Sequence, residues 1–144
     1  MLKDLIFLSQ TDTTIGFVSQ DDSKLSQVKK RLPNKSYIKA IPSLKALKSY
    51  TRVPTIHKNR VRRAKRTTFI IASNSYRVIK NSKHNLLLDR LGWAYTTSAN
   101  LSGDDYSDEF AKSSCDVEVS FDTNNLKMAS RIYKINSKSI FRVR

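Results

Sequence analysis

Short runs of apolar and β-branched residues recur along this chain, and the way they alternate with helix-like segments restricts its possible folds. Residues 5–8, 37–41 and 67–73 are typical of short strands. Residues 21–32 carry leucines and a valine at helical spacing, with capping candidates at the start, and residues 81–92 fit a helix with Gly92 just past its end. Because strands and helices alternate without a regular βαβ repeat, we predict an α/β (α+β mixed) fold in which helices flank a twisted mixed sheet.

The length and composition favour one domain with one core. The chain has 144 residues, of which 39% are hydrophobic, so we expect a single domain over 1–144. Apolar runs such as 69–72 are too short to span a membrane, and the N-terminus lacks the apolar region and cleavage site of a signal peptide. Cys115 is the single cysteine and has no disulfide partner in the chain. We therefore expect a cytoplasmic protein without a membrane partner.

The charge balance is strongly basic. Twenty-seven Lys and Arg residues stand against 12 Asp and Glu, giving a formal net charge of +15. The segment HKNRVRRAKR, residues 57–66, holds six cations and no acid: Lys58, Arg60, Arg62, Arg63, Lys65 and Arg66. Such a concentration favours a polyanionic partner, because neutralising phosphates releases counterions. The alternative is a solvated basic face that only keeps the protein soluble.

Several kinds of catalytic and binding site are excluded by the sequence. Neither a GxxxxGK[ST] loop nor a GxGxxG turn occurs. His57 and His84 are isolated, so the sequence predicts no metal site. No local signature supports a nucleophilic triad built on Cys115 or a serine. Because His84 lies beside Asn85 in a predicted helix, we expect it at the surface.

Three polar segments remain, and each is expected in a loop or at the end of a secondary-structure element. They are TDTTIG at 11–16, KKRLPNK at 29–35 and TTSANLSG at 96–103, the last following a predicted strand at 93–95. Cations and hydroxyl groups together can bind phosphates without a glycine-rich loop. Each segment by itself also fits ordinary turn chemistry or an exposed helix end, but the combination favours a phosphate or nucleotide site.

The same segments carry a family resemblance. TTSANLSG resembles the STSANxSG signature of the YrdC-like family, the threonylcarbamoyl-adenylate synthases. SQTDTTIGF resembles that family's PT(D/E)TxYGL, and KKRLPNK resembles KxRP…K. Towards the C-terminus, SYRVI resembles xVRxP and MASRIYKI resembles PSTIVD. The resemblance covers nearly the whole chain, which would be a short YrdC-like domain lacking the usual first helix.

The resemblance implies an enzyme, a nucleotidyltransferase. The expected reaction joins L-threonine, bicarbonate and ATP into threonylcarbamoyl-AMP, with Mg²⁺ carried by the triphosphate. The product would serve N6-threonylcarbamoyladenosine modification of tRNA. The implied partners are tRNA or double-stranded RNA, bound on a basic face that includes the cations of 57–66, and proteins of the tRNA threonylcarbamoylation pathway.

Site residues follow from the matched motifs. Lys29 and Arg31 would be the catalytic cations that hold the phosphates and the carboxylated amine. Thr11 and Thr13, with Lys35 nearby, would face the threonine substrate. The nucleotide would be bound by five further residues: Thr68, Arg77, Ser98, Asn100 and Ser130.

A second interpretation stays open at this stage. The family's PGP turn corresponds here to Lys65-Arg66-Thr67, which places bulky cations where the family has a tight loop. A non-catalytic module that binds double-stranded RNA or tRNA with the same fold would tolerate that change. The retained Lys29, Arg31, Ser98 and Asn100 favour the synthase.

Overall fold

The computed structural model describes residues 2–32, 36–80, 82–119 and 129–144, and within them nine strands form one mixed sheet. The strands are β1 Phe7–Gln10, β2 Ile15–Ser19, β3 Ile38–Ile41, β4 Thr67–Ile71, β5 Asn74–Val78, β6 Ala94–Ser98, β7 Val117–Val119, β8 Arg131–Ile135 and β9 Ile140–Arg142. Their order across the sheet is β7-β1-β2-β6-β3-β5-β4-β8-β9. The pairs β1–β7, β3–β5 and β4–β8 are parallel and the other neighbours are antiparallel. This arrangement confirms the predicted mixed-sheet α/β fold.

Five α-helices accompany the strands in the described part of the chain: α1 Asp22–Lys29, α2 Leu44–Leu47, α3 Lys58–Arg63, α4 Ser82–Leu91 and α5 Asp108–Ser114. The Asp21 side chain accepts a hydrogen bond from the backbone of Lys24 and caps α1, as its sequence predicts. The helix ends earlier than the predicted 32, because Lys30 adopts a left-handed conformation with φ of 53°. None of these helices combines the length and apolar character that crossing a membrane requires.

Helices cover both faces of the sheet. Because neighbouring strand residues point to opposite faces, Phe17 and Val18 of β2 belong to different parts of the core. Val18 packs with Leu88 of α4, and we call this side the α4 face. Phe17 packs with Leu25 of α1, and Val61 of α3 lies on the same side, which we call the α3 face. The two faces therefore carry separate apolar cores and can carry separate sites.

Two polar segments differ from their predicted structure. The sequence predicts a loop ending at Gly16, but Gly16 lies inside β2, paired with Ser9 on one side and Ser98 on the other. Likewise the first three residues of TTSANLSG, 96–98, extend strand β6 rather than starting the loop. Tertiary pairing explains both differences, since β6 lies between β2 and β3 and receives ladder hydrogen bonds from both.

The predicted surface position of His84 is wrong. His84 is 0% exposed, within α4 against the core of the α4 face. Burial, with a further contribution from the charge of Arg77, lowers the pKa of His84 to about 3.

We expect this buried histidine to make the protein sensitive to mild acid. The unfolded chain binds a proton at His84 near pH 6.5 whereas the folded protein does not, so stability falls as pH decreases through that range. The free energy of unfolding should drop by about 2 kcal/mol between pH 7 and pH 5 from this group alone. Urea denaturation at several pH values measures the slope, and His84→Gln should flatten it. Parallel pH curves for the two proteins would contradict this account.

Candidate functional site

A cavity of about 300 Å³ opens on the α4 face where the ends of several strands meet. Its walls are formed by Thr11, Thr13, Thr14, Arg31, Ser36, Tyr37, Ile38, Arg77, Thr96, Thr97, Ser98, Ala129, Ser130, Ile132 and Arg144. Arg31, Arg77 and Arg144 bring three guanidinium groups to it, and we call it the arginine cavity. It has the size of ordinary small-molecule sites and a strongly cationic lining.

The β1–β2 turn contributes ordered threonines to the cavity. Thr11 Oγ1 accepts hydrogen bonds from the backbone N–H groups of Thr13 and Thr14, each at 3.2 Å, and donates to the carbonyl of Thr14 at 2.7 Å. The hydroxyl oxygens of Thr11 and Thr13 lie 3.2 Å apart. Thr11 therefore holds the turn in shape, and the Thr13 hydroxyl is the better placed of the two to contact a ligand.

A buried ion pair lies at the base of the site. Arg77 Nε is 3.2 Å from Asp12 Oδ1, and the two side chains are only 5% and 6% exposed. Burial raises the pKa of Asp12, while the charges of Arg77 and, more weakly, Arg66 oppose that rise. Burial also lowers the pKa of Arg77, and Asp12 opposes this. The pair fixes Arg77 in the cavity wall and leaves it with less uncompensated charge than the other two arginines.

Lys29 lies behind the cavity rather than in it. Its ammonium group donates to the carbonyl oxygens of Ser98 and Asn100, each at 2.6 Å, and only 3% of the residue is exposed. The backbone N–H of Ser102 donates in turn to the carbonyl of Lys29 at 3.0 Å. Burial, with the charge of Arg31 adding, lowers the pKa of Lys29 to about 8. In this arrangement Lys29 fixes the loop after β6.

Arg31 reaches the cavity because α1 ends before it. Its Nη2 atom donates to the carbonyl of Ser36 at 3.0 Å, and its guanidinium carbon lies 4.5 Å from the centre of the Tyr37 ring. The Tyr37 hydroxyl is itself 3.0 Å from Ser26 Oγ. Stacking on a fixed ring orients the guanidinium toward the cavity.

The opposite wall of the arginine cavity is formed by β4, β8 and Arg144. Thr68 Oγ1 and Ser130 Oγ lie 2.8 Å apart, with Thr68 fully buried behind Ser130. Arg144 donates from Nε to the Ser130 carbonyl at 3.1 Å, and its Nη2 lies 3.4 Å from Ser130 Oγ. Backbone hydrogen bonds between Ile132 and Arg144 hold this arginine beside β8.

The residues predicted for the substrate and nucleotide site therefore fall into four groups. Thr11, Thr13, Arg31, Arg77, Ser98 and Ser130 line the arginine cavity. Lys29 and Thr68 lie behind its walls, and Lys35 lies outside the described residues. Asn100 instead lines a neighbouring pocket of about 290 Å³, which shares Thr14 and Ser98 with the arginine cavity. The Asn100 amide group donates to the carbonyls of Leu101 and Asp104, at 2.8 and 2.7 Å, and so shapes the loop.

Two charged residues of the site were missed by the sequence interpretation. Asp12 lies inside the TDTTIG segment and is one of few acids in a basic chain, so a charge count could have singled it out. Arg144 had no comparable signal, because only the β8–β9 hairpin returns it to Ser130.

The basic stretch of 57–66 is divided by the fold. Lys58, Arg60, Arg62 and Arg63 belong to α3 on the α3 face, away from the cavity. Arg66 adopts a left-handed backbone with φ of 50°, and its charge acts on Asp12 instead.

No protein-family model matches the chain, and no curated protein was found to match it. Solved structures do match. Sua5 of P. abyssi in complex with L-threonine superimposes with a TM-score of 0.82 at 14% identity, covering 97% of this chain and 50% of that one. E. coli YciO gives a TM-score of 0.73 at 15% identity, covering 97% and 82%. The chain has a YrdC-like fold.

A third match has the same fold in a longer protein. Full-length HypF in its phosphate- and nucleotide-bound form gives a TM-score of 0.80 at 17% identity, covering 99% of this chain and 27% of that one. The chain thus spans about half the length of the matched Sua5 and about a quarter of HypF. These likenesses confirm the YrdC-like fold that the sequence motifs predict.

Proposed function

We propose that this protein is an L-threonylcarbamoyladenylate synthase whose reaction takes place in the arginine cavity. The observation that carries the proposal is the convergence in one cavity of the β1–β2 threonines, the Ser98 and Ser130 side chains and three arginines. Matched structures of the same fold include one described with L-threonine and one with phosphate and nucleotide. Both ligand classes suit a cavity lined by hydroxyl groups and guanidinium groups.

The proposed chemistry needs no protein nucleophile. The amine of L-threonine combines with bicarbonate to give a carbamate and water. A carbamate oxygen then attacks the α-phosphorus of ATP, forming threonylcarbamoyl-AMP and displacing pyrophosphate. Mg²⁺ enters with the triphosphate as part of the substrate. The protein supplies positioning and charge stabilisation, which dominate catalysis of phosphoryl-transfer reactions.

Arg31 and Arg144 are assigned to the phosphates. Among the described residues neither has a carboxylate partner, whereas Arg77 is paired with Asp12. Both are oriented by hydrogen bonds to neighbouring groups, so the N–H edges of their planar guanidinium groups are prepared for bidentate contact with phosphate oxygens. The sequence interpretation assigned Lys29 as the second phosphate-binding cation beside Arg31, and here Arg144 is assigned that role instead.

Lys29 is assigned a positioning role. Its bonds to the Ser98 and Asn100 carbonyls hold the loop that separates the arginine cavity from the neighbouring pocket. The adenosine part of the nucleotide would extend into that pocket, past Ser98 and toward Asn100. The product, threonylcarbamoyl-AMP, would then be used by other proteins of the tRNA threonylcarbamoylation pathway to modify tRNA.

The direct test is release of pyrophosphate. We expect the purified protein with ATP and bicarbonate to release pyrophosphate only when L-threonine is present, and to yield threonylcarbamoyl-AMP detectable by mass spectrometry. Omission of bicarbonate is the control. A folded protein that releases none would instead favour the non-catalytic module that binds double-stranded RNA or tRNA.

ATP binding tests the arginine assignment separately from turnover. Arg31→Gln and Arg144→Gln should each weaken ATP binding by about ten- to hundredfold, the usual effect of losing a charge-assisted contact. Arg142→Gln is the matched control, because it removes the same charge two residues away, opposite Tyr133 on the α3 face. Isothermal titration calorimetry measures all three variants. Equal ATP affinity in Arg142→Gln and Arg144→Gln would contradict the assignment.

A further inference from the structure

A second concave site lies on the opposite face of the sheet from the arginine cavity. Along β4 and β8, Ile132 lines the cavity and its pairing partner Thr68 contacts Ser130 on the same side, so Phe69, Arg131 and Tyr133 project to the α3 face. There they border a groove of about 450 Å³ between the sheet and α3, which we call the α3 groove. Nothing in the proposed synthase reaction uses it.

The α3 groove combines three guanidinium groups with an aromatic ring. Arg60 and Arg63 of α3 line one side and Arg131 of β8 the other. Tyr133 forms part of the floor, its ring stacked on Phe69 with centroids 6.2 Å apart and planes at 27°. Arg131 donates to the carbonyl of Lys65 at 3.3 Å. In the described chain, none of the three arginines has a carboxylate partner.

The distribution of acidic residues shows why these charges stay uncompensated. No Asp or Glu occurs between Asp22 and Asp89 or after Asp122. The strands β3, β5, β4, β8 and β9 and the helices α2 and α3 all come from those acid-free segments. They form one half of the sheet, and of its cations in the described chain Arg77 alone is paired with a carboxylate, that of Asp12, so positive charge accumulates there. Such a surface attracts a polyanion.

We propose that the α3 groove binds a single strand of nucleic acid, with phosphates on Arg60, Arg63 and Arg131 and a base stacked on Tyr133. Arginine forks suit phosphate oxygens, and a half-exposed ring on a cationic floor is the usual platform for an unpaired base. A flat anionic membrane could reach the rim but not the recessed ring. Because the groove and the cavity lie on opposite faces, this proposal does not depend on the synthase activity.

The test is binding of a labelled oligouridine, followed by fluorescence anisotropy over a range of salt concentrations. The variant Arg60→Gln/Arg63→Gln/Arg131→Gln should bind at least about ten times more weakly, with a log–log salt slope smaller by up to about 2, or roughly 0.7 per phosphate contact. The matched control is Lys3→Gln/Lys80→Gln/Arg90→Gln, which removes the same charge from exposed positions outside the groove. It should keep the salt slope of the unmodified protein.

Variants of Tyr133 distinguish base stacking from general electrostatic attraction. Tyr133→Leu should weaken oligouridine binding by roughly tenfold, whereas Tyr133→Phe, which keeps the ring, should bind like the unmodified protein. If the triple variant unfolds, Arg60→Gln/Arg63→Gln changes only exposed helix residues and should still lower the slope.

Three results would overturn the proposal. Equal losses of oligouridine affinity in the groove variant and in the matched control variant would mean non-specific attraction. Tighter binding of double-stranded RNA than of oligouridine would mean recognition of duplex shape. Displacement of oligouridine by vesicles of anionic phospholipid, together with an oligouridine affinity of Tyr133→Leu equal to that of the unmodified protein, would identify a membrane surface instead.

Discussion

Replacing Arg77 by Leu should cost about 3–5 kcal/mol of unfolding free energy, because the buried carboxylate of Asp12 would lose its partner. The two groups are 3.2 Å apart and almost fully enclosed, so water cannot replace the guanidinium. The same change removes one of the three cations of the arginine cavity and should also weaken ATP binding. Urea denaturation and calorimetric titration measure the two effects.

A variant in which Asp12 is replaced as well supplies the control. In Asp12→Asn/Arg77→Leu no charge is left buried, so most of the lost stability should return while ATP binding stays weak. In Arg77→Leu alone, the deficit should shrink as pH falls, because burial raises the pKa of Asp12 and the folded state then takes up a proton more readily than the unfolded chain. A double variant no more stable than Arg77→Leu would show that the pair is not what holds this part of the fold.

Gly16→Ala should destabilise the protein by about 3 kcal/mol and disturb the cavity. A Cβ atom at this position would lie 2.7 Å from the backbone oxygen of Thr97 and 3.2 Å from Cγ2 of Thr11. Backbone cannot yield as a flexible side chain does, so β2 and β6 would have to separate. Thr97 and Ser98 would then move, and ATP affinity should fall together with stability.

Gly92→Ala is the comparison for Gly16. Gly92 has φ of +84°, but a Cβ there meets nothing within 4 Å. The strain of a left-handed alanine should cost about 1 kcal/mol without any change in ATP binding. Gly16→Ala with the stability and ATP affinity of the unmodified protein would exclude the close approach of β2 and β6.

Local signals predicted secondary structure well where the partners of a segment are near in sequence. Asp21 caps the helix that follows it, and Gly92 follows the end of α4, each as predicted. Prediction failed at Gly16 and at His84, where the outcome depends on distant strands and helices. Gly16 favours a loop by itself, but β2 lies between two partners that enclose it.

The site shows the same division between local and tertiary information. The motifs brought together Thr11, Thr13, Arg31, Arg77, Ser98 and Ser130, which line one cavity. They could not show that the Lys29 ammonium group would donate its hydrogen bonds to carbonyl groups about seventy residues away. Those hydrogen bonds exist only once the loop after β6 packs on α1. Nor could they show that Arg144 would take a place beside Ser130.

By itself, the sequence determined the mixed α/β class, the polar segments that line the cavity and the basic character of the chain. Those properties follow from residue type and short-range spacing, which act before any long-range contact forms. Only the tertiary structure decided which cations share a site. Alternation along β4 and β8 sends Thr68 and Ile132 to one face and Arg131 and Tyr133 to the other, so neighbours in sequence serve different surfaces. Sheet pairing between distant strands then selects the arginines that meet at each surface.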